Sequence, residues 1–274
     1  MLDIILLIIG IGGFGLASYF DLRYTEFPDW LPYGMVAAIL IVRVLFGFYL
    51  GDFSGFLNSV LIGIGFLAFG FILYFLKQWG NGDAWLLGVL GFILPNSLMG
   101  FKTIVPYYLN LVLNFFLVAF VYLVAYSITI GFKSADVRKL FFRRIKGEAR
   151  IPILMSLVFL GVYLVFFFSF LQSIALLSKS FYMYIGFPFL IVFVVFFLQY
   201  AKAVETKLFR RKVNVRELKA GDVIVGKRWK GLTEQELKKF KKRGGQVWIK
   251  EGVRFAPVYL ITLLVSVLVG GLLI

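Results

Sequence analysis

The chain has 274 residues, of which 61% are hydrophobic, and its mean hydropathy is +0.92. It has 29 lysine and arginine residues against 14 aspartate and glutamate residues, a formal net charge of +15, and no histidine or cysteine. This composition excludes disulfides, hydrolysis by thiol or histidine-dependent mechanisms, and the usual zinc and haem sites. It predicts an all-α polytopic membrane protein in which carboxylates, lysines or tyrosines must perform any acid–base chemistry.

Apolar runs recur along the chain at the length of about 20 residues that a helix needs to cross a bilayer. The first run, near residues 2–20, has no basic segment before it and no small-residue cleavage site after it, so we expect an uncleaved span. The pattern predicts about eight transmembrane helices, near 2–20, 31–50, 56–77, 84–101, 104–131, 151–177, 181–201 and 256–274.

Basic residues indicate how these spans are oriented. The loops after the odd-numbered spans hold 26 of the 29 lysines and arginines. Because short basic loops stay in the cytoplasm, we expect a multi-pass protein of the cell membrane with both termini outside. Arg43 lies within the second span, where its side chain can reach toward the interface. The charge then reflects topology and contact with anionic lipids, and nothing beyond the charge indicates nucleic acid as a partner.

Four acidic residues lie at the cytoplasmic ends of predicted spans: Asp21, Glu26, Asp29 and Asp83. A carboxylate near membrane depth is costly, which makes such residues functional candidates. Purely structural interpretations also exist. Asp29 is placed to cap the second span, Asp83 could cap the fourth through the helix dipole, and Glu26 fits an exposed loop charge.

Two glycines precede Asp83 in the stretch WGNGDAWLL. Gly80 and Gly82 allow backbone conformations closed to other residues and permit another chain to approach closely. If Asp21 and Asp83 meet, they can share one proton, because two close carboxylates cannot both ionise cheaply. The ionised member would then take a proton from water while the protonated member donates to a scissile carbonyl. This chemistry needs no metal or other cofactor.

Both acidic segments resemble motifs of the type IV prepilin and preflagellin peptidases, which are membrane aspartyl proteases of the GxGD class. DLRYTEFPDWLP is similar to the first motif of this family and GNGDAWLLGVLGFILP to the second. The resemblance implies that Asp21 and Asp83 are catalytic, that Gly80 and Gly82 are the motif glycines, and that no metal takes part. It also implies the substrate, which is the positively charged leader of pilin or archaellin precursors, cut at the cytoplasmic face.

One position departs from the bacterial pattern. Bacterial members often have a lysine two residues after the motif aspartate, and this chain has Trp85 there. The chain also lacks a cysteine-rich zinc-binding insert and a methyltransferase-like region. The resemblance is therefore to the archaeal branch of the family.

We expect three domains: a membrane catalytic bundle at 1–203, a small basic α+β cytoplasmic domain at 204–254, and a C-terminal transmembrane helix at 255–274. The middle segment alternates like short strands around Gly221 and Asp222. It then reads as a helix with a capping box from Thr233 to Glu236, followed by a strand at VWIK. This segment resembles the cytoplasmic part of a euryarchaeal pilin-processing branch, which favours pilin over archaellin precursors.

The cytoplasmic segment after the seventh span has 17 basic residues. Such a surface would repel a basic leader, so we expect it to bind anionic membrane lipids instead. Glu26 and Asp29 are then the predicted substrate-binding residues.

Two other functions remain open from the sequence. A presenilin-type intramembrane protease would use a similar acid pair but cut within a transmembrane helix. A proton-coupled transporter also uses paired membrane carboxylates, although its acids are expected near the midplane in broken helices. The glycine-rich runs IGIGGFG and IGIGFLAFG predict close helix packing.

Overall fold

A computed structural model describes residues 1–76, 78–93, 106–171, 181–218, 222–225, 232–250 and 252–270. Within these ranges the protein is mostly helical and has one small sheet. The helices are α1 (Leu2–Tyr24), α2 (Trp30–Leu50), α3 (Ser54–Phe75), α4 (Asn81–Ile93), α5 (Tyr107–Phe132), α6 (Ala135–Lys146), α7 (Arg150–Phe166), α8 (Phe181–Leu208), α9 (Glu234–Arg243) and α10 (Pro257–Leu268). The strands are β1 (Arg210–Asn214), β2 (Val223–Ile224) and β3 (Gln246–Lys250).

Six of the described helices are long and apolar enough to cross a membrane: Leu2–Tyr24, Trp30–Leu50, Ser54–Phe75, Tyr107–Phe132, Arg150–Ser169 and Gly186–Leu208. The prediction of a multi-pass helical membrane protein is thereby confirmed, but the count of eight spans is not. α4 and α10 fall in the predicted spans 84–101 and 256–274, yet they have 13 and 12 residues. Residues 94–101 and 271–274 of those two spans lie outside the described ranges.

The described residues form two compact units, each with its own contacts. The first takes residues from 1–122 and 252–270, which include α1 to α4, the first part of α5, and α10. Its core contains apolar side chains from all six helices. Glycines let these helices approach closely, as the run IGIGFLAFG predicts. A Cβ on Gly70 would lie 2.9 Å from the Cα of Ala84, and a Cβ on Gly63 would overlap the ring of Phe92.

Polar side chains of α5 fix the position of α10 within this unit. The Tyr107 hydroxyl donates to the carbonyl of Ser266 at 2.8 Å, and the Asn114 amide donates to the Ser266 Oγ at 3.0 Å. Near the other end of α10, the Tyr122 hydroxyl donates to the carbonyl of Arg254 at 2.6 Å. Because lipid provides little hydrophobic driving force between helices, such bonds set their register and orientation.

Arg43 does not extend to the interface as expected, because it is only 6% exposed. Its guanidinium donates to the carbonyls of Gly55 at 3.2 Å and Ile93 at 3.0 Å. Ile93 is the last described residue of α4. Arg43 therefore holds the C-terminal end of α4 inside the unit.

The second unit takes described residues from 123–225 and 232–250. It contains the end of α5, the helices α6 to α9, and an antiparallel sheet of order β1-β3-β2. The strand, helix and strand predicted for the basic segment are confirmed. Thr233 and Glu236 form the predicted capping box at the start of α9. Behind the sheet lies a small apolar core: Val213, Val215, Leu218, Ile224, Leu232 and Ile249.

Candidate active site

Asp21 lies in the last turn of α1 and is 7% exposed. Its Oδ2 accepts the backbone N–H of Ala256 at 2.8 Å, and the backbone N–H of Phe255 also hydrogen-bonds to the carboxylate. Arg254 interacts with it electrostatically. These three residues directly precede α10, so the side chain of Asp21 satisfies donors at the N-terminal end of that helix.

Asp83 is the third residue of α4 and is partly exposed. The backbone N–H of Gly80 hydrogen-bonds to its carboxylate, as in the half of a capping box that reaches back to the N-cap. Asp83 thus caps the start of α4, as the structural interpretation of this residue predicted. Its backbone carbonyl makes a further contact, since it accepts the Tyr259 hydroxyl at 2.8 Å.

The structure brings Asp21 and Asp83 together within the first unit, where the two side chains interact electrostatically. The side chain of Tyr259 is fully buried and interacts electrostatically with both. Both aspartates therefore lie beside the first turn of α10. Two carboxyl groups that interact electrostatically can hold one shared proton, which is an arrangement suited to general acid–base hydrolysis.

The two motif glycines have different surroundings. A Cβ on Gly82 would lie 2.6 Å from the Cζ of Phe27, so the segment between α1 and α2 packs directly on the start of α4. A Cβ on Gly80 would lie 3.2 Å from Oδ2 of Asp83. Gly82 thus permits a close approach between the two motifs, and Gly80 leaves room for the carboxyl group.

Glu26 and Asp29 are exposed in the segment between α1 and α2. Asp29 occupies the N-cap position of α2, but its side chain makes no capping hydrogen bond, so the predicted cap is wrong. Both side chains are free to contact solvent or a ligand on the same segment that carries Phe27. Their assignment as substrate-binding residues stays a prediction.

Trp85 packs by ring edges against Tyr33 and Phe71, with centroid distances of 4.6 Å and 5.8 Å. An aromatic cluster thus surrounds Trp85, the position that departs from the bacterial motif. Within the described ranges, no group of three or more acidic side chains could hold a metal ion.

Sequence reasoning missed the residues that hold the two aspartates: Arg254, Phe255, Ala256 and Tyr259. Two of them act through backbone N–H groups, which leave no signature in side-chain pattern. The only local signal is Pro257, which marks the first turn of a helix. Nothing about this proline indicates that α10 lies next to Asp21.

Comparison with known proteins confirms the resemblance for part of the chain. Residues 8–128 match the model of the Type IV leader peptidase family, which is a family of proteases. The match contains both aspartates and both motif glycines, and it ends well before α10. No curated protein and no solved structure matches the chain.

Proposed function

We propose that the protein is an aspartic endopeptidase that removes the N-terminal leader from type IV pilin-like or archaellin precursors. The observation that carries this proposal is the meeting of Asp21 and Asp83, which come from the two separate motifs and lie beside one helix end. The family match over residues 8–128 supports the same activity.

The hydrogen bonds divide the roles between the two aspartates. Burial disfavours the ionised form of Asp21, but its carboxylate accepts two backbone N–H groups at the start of α10 and lies near the Arg254 cation, which all favour that form. Asp83 receives one backbone N–H, from Gly80, and faces the negative charge of Asp21. We therefore assign Asp21 as the general base and Asp83 as the holder of the shared proton.

Hydrolysis then follows in two steps. Ionised Asp21 takes a proton from a water molecule as the water oxygen bonds to the scissile carbonyl carbon, while Asp83 donates its proton to the carbonyl oxygen. In the second step the C–N bond breaks, the nitrogen receives the proton held by Asp21, and the hydroxyl returns its proton to Asp83. One water and one peptide bond give a carboxylic acid and an amine, and both aspartates regain their starting states.

The proposed placement in the membrane follows from the loop charges. α4 and α10 would complete eight spans together with the six long apolar helices, with both termini outside. The ends of α1 and α4 that carry the aspartates would then lie at the cytoplasmic face of the cell membrane. The basic residues of the second unit would contact anionic lipid head groups there.

Leader recognition would use the exposed acidic segment between α1 and α2. Glu26 and Asp29 lie on the segment whose Phe27 contacts Gly82, next to the start of α4. Two carboxylates near the pair would attract the lysines or arginines of a leader. The likeness of the basic domain to an archaeal pilin-processing branch favours pilin-like precursors over archaellins.

The test is a cleavage assay with the purified full-length protein in detergent. A pilin precursor with a basic leader, an archaellin precursor, and a pilin precursor altered at the leader junction are incubated in parallel, and product masses are read. We expect one cut after the leader of the pilin precursor and none in the altered one. If correctly folded protein leaves both intact precursors uncut, the proposal fails.

A further inference from the structure

The C-terminal helix contacts both proposed catalytic aspartates although it lies outside the segment matched to the family. The match covers residues 8–128, whereas α10 spans Pro257–Leu268. Two bonds connect the first turn of α10 to the pair. The Ala256 N–H donates to the Asp21 carboxylate, and the Tyr259 hydroxyl donates to the Asp83 carbonyl.

The two donors are close together and rigidly held. Ala256 and Tyr259 are three residues apart, which corresponds to a rise of about 4.5 Å along a helix. Tyr259 has no solvent exposure, and its ring packs against those of Phe14 and Phe115 at centroid distances of 6.0 Å and 5.3 Å. One helix turn thus connects α1 to α4 through donors that have little freedom to move.

α10 is itself held in register by α5. The Tyr122 hydroxyl bonds to the carbonyl of Arg254, immediately before the residues that bind Asp21. The Tyr107 hydroxyl makes the same kind of bond at the other end of the helix, to Ser266. Ser266 is ten residues from Ala256, or about 15 Å along the axis.

We propose that the first turn of α10 sets the separation of the Asp21 and Asp83 carboxyl groups, and that Tyr259 is a positioning residue for the proposed peptidase. The expected effect of Tyr259 on the rate of cleavage rests on the proposed function. The structural content of the inference is that removing one hydroxyl moves the start of α4 relative to the end of α1. Since the rings around Tyr259 keep their packing in a phenylalanine variant, the helix itself should remain in place.

The kinetic test compares Tyr259→Phe with Tyr107→Phe. Each variant loses one tyrosine hydroxyl bonded to a backbone carbonyl at 2.8 Å, but only the first loses it at the aspartates. We expect Tyr259→Phe to lower kcat about 10 to 100-fold, the range in which small misplacement of reacting groups acts, with KM nearly unchanged. Tyr107→Phe should keep the kcat of the unchanged protein, because Asn114 still holds that end of α10 through its bonds to the Ser266 Oγ and the Gly270 carbonyl.

The pH dependence of kcat gives a second readout that general loosening would not produce. Two coupled carboxyl groups lose their protons in two separate steps, and the steps draw together as the groups move apart. The pH profile of Tyr259→Phe should therefore be narrower than that of Tyr107→Phe. Equal kcat values and equal widths in the two variants would overturn the inference.

A third measurement does not need cleavage and so separates this inference from the proposed function. A water-soluble carbodiimide is added to the folded protein in detergent, and the labelling rates of Asp21 and Asp83 are read by mass spectrometry. We expect several-fold faster labelling at one or both aspartates in Tyr259→Phe and no change in Tyr107→Phe. Matching rates in both variants would refute the positioning role even if no precursor had been cut.

Discussion

The backbone N–H of Ala256 lies 2.8 Å from the Oδ2 of Asp21, although 235 residues separate the two in the chain. Asp21 belongs to the segment that matches the leader peptidase family, and Ala256 does not. The hydrogen bond that orients one proposed catalytic carboxylate therefore comes from outside the matched segment. The proposed site is built from α1, α4 and α10 together.

The close contact between α3 and α4 predicts a strong effect of Gly70→Ala. The new Cβ would lie 2.8 Å from the carbonyl oxygen of Ala84, the residue after Asp83, and backbone cannot move aside cheaply. Overpacking of this kind costs about 1–3 kcal/mol. We expect a lower thermal unfolding midpoint in detergent and about 10-fold slower cleavage, because α4 and Asp83 must shift.

Gly65→Ala is the matched control on the same helix. Nothing lies within 4 Å of a Cβ on Gly65, and alanine favours a helix over glycine. Its midpoint and cleavage rate should equal or exceed those of the unchanged protein. If the two alanine variants behaved alike, the close approach of α3 to α4 would not be what positions Asp83.

The contact between Gly82 and Phe27 predicts a rescue. Gly82→Ala places a Cβ 2.6 Å from the Phe27 ring and should slow cleavage by pushing apart the two motif segments. Adding Phe27→Leu, which removes the far end of the ring, should restore part of the rate. Gly12→Ala, with open space around its Cβ, serves as the control. A double variant no faster than Gly82→Ala would show that this contact is not the cause.

A shared proton predicts a bell-shaped dependence of the cleavage rate on pH. At low pH both Asp21 and Asp83 are protonated and no base remains, whereas at high pH both are ionised and no acid remains. The rate should fall on both sides of the pH at which it is maximal. It should recover when the protein is returned to that pH. The thermal unfolding midpoint, measured at the same pH values, separates this loss from unfolding. A rate that stayed flat through both limbs would argue against a carboxyl pair.

The exposed acidic segment predicts a charge-dependent interaction with the leader. Reversing Glu26 and Asp29 to lysine should raise KM for a basic leader several-fold while kcat changes less, since attraction between charges acts mainly on binding. For a precursor whose leader carries glutamate in place of its basic residues, the reversed variant should have a lower KM than the unchanged protein. The effect should weaken at high salt.

Glu217→Lys controls for the change in net charge. Glu217 is exposed in the basic second unit, and its replacement by lysine adds two positive charges, the same change as reversing either Glu26 or Asp29 alone. It should leave KM for the basic leader unchanged. Equal KM values for the reversed pair and this control would remove Glu26 and Asp29 from leader binding.

The shared location of Asp21 and Asp83 could be predicted from the sequence on physical grounds. Costly carboxylates at the same predicted face, with glycines before one of them, indicated a shared site, and the structure places Asp21 and Asp83 together. The capping box from Thr233 to Glu236 was likewise predicted, since its side chains are bonded to backbone groups only three residues apart.

Other features depend on tertiary contacts that no local pattern contains. Arg43 bonds to the carbonyl of Ile93 across 50 residues, and the length of its side chain alone gave the wrong expectation of an interfacial position. The glycine runs predicted close packing, but only some of their members provide it. Gly63 and Gly70 face α4, whereas Gly65 faces open space. The rotation of α3 about its axis decides which of its glycines contact α4.

The measurement that tests the account most directly is the rate of leader removal by Asp21→Asn and Asp83→Asn, with Asp52→Asn as the control. Asparagine keeps the size and one acceptor oxygen of aspartate but can neither take nor hold the proton. Asp52 is an exposed loop residue whose carboxylate accepts two hydrogen bonds from Ser54, and these hold its pKa below the usual range.

We expect both site variants to lose cleavage by at least about 10³-fold, the scale on which removing a member of a catalytic pair acts. Their thermal unfolding midpoints should stay near that of the unchanged protein, and Asp52→Asn should keep its full rate. Cleavage that persists in a folded Asp21→Asn or Asp83→Asn variant would contradict the assignment of that aspartate and, with it, the shared-proton mechanism.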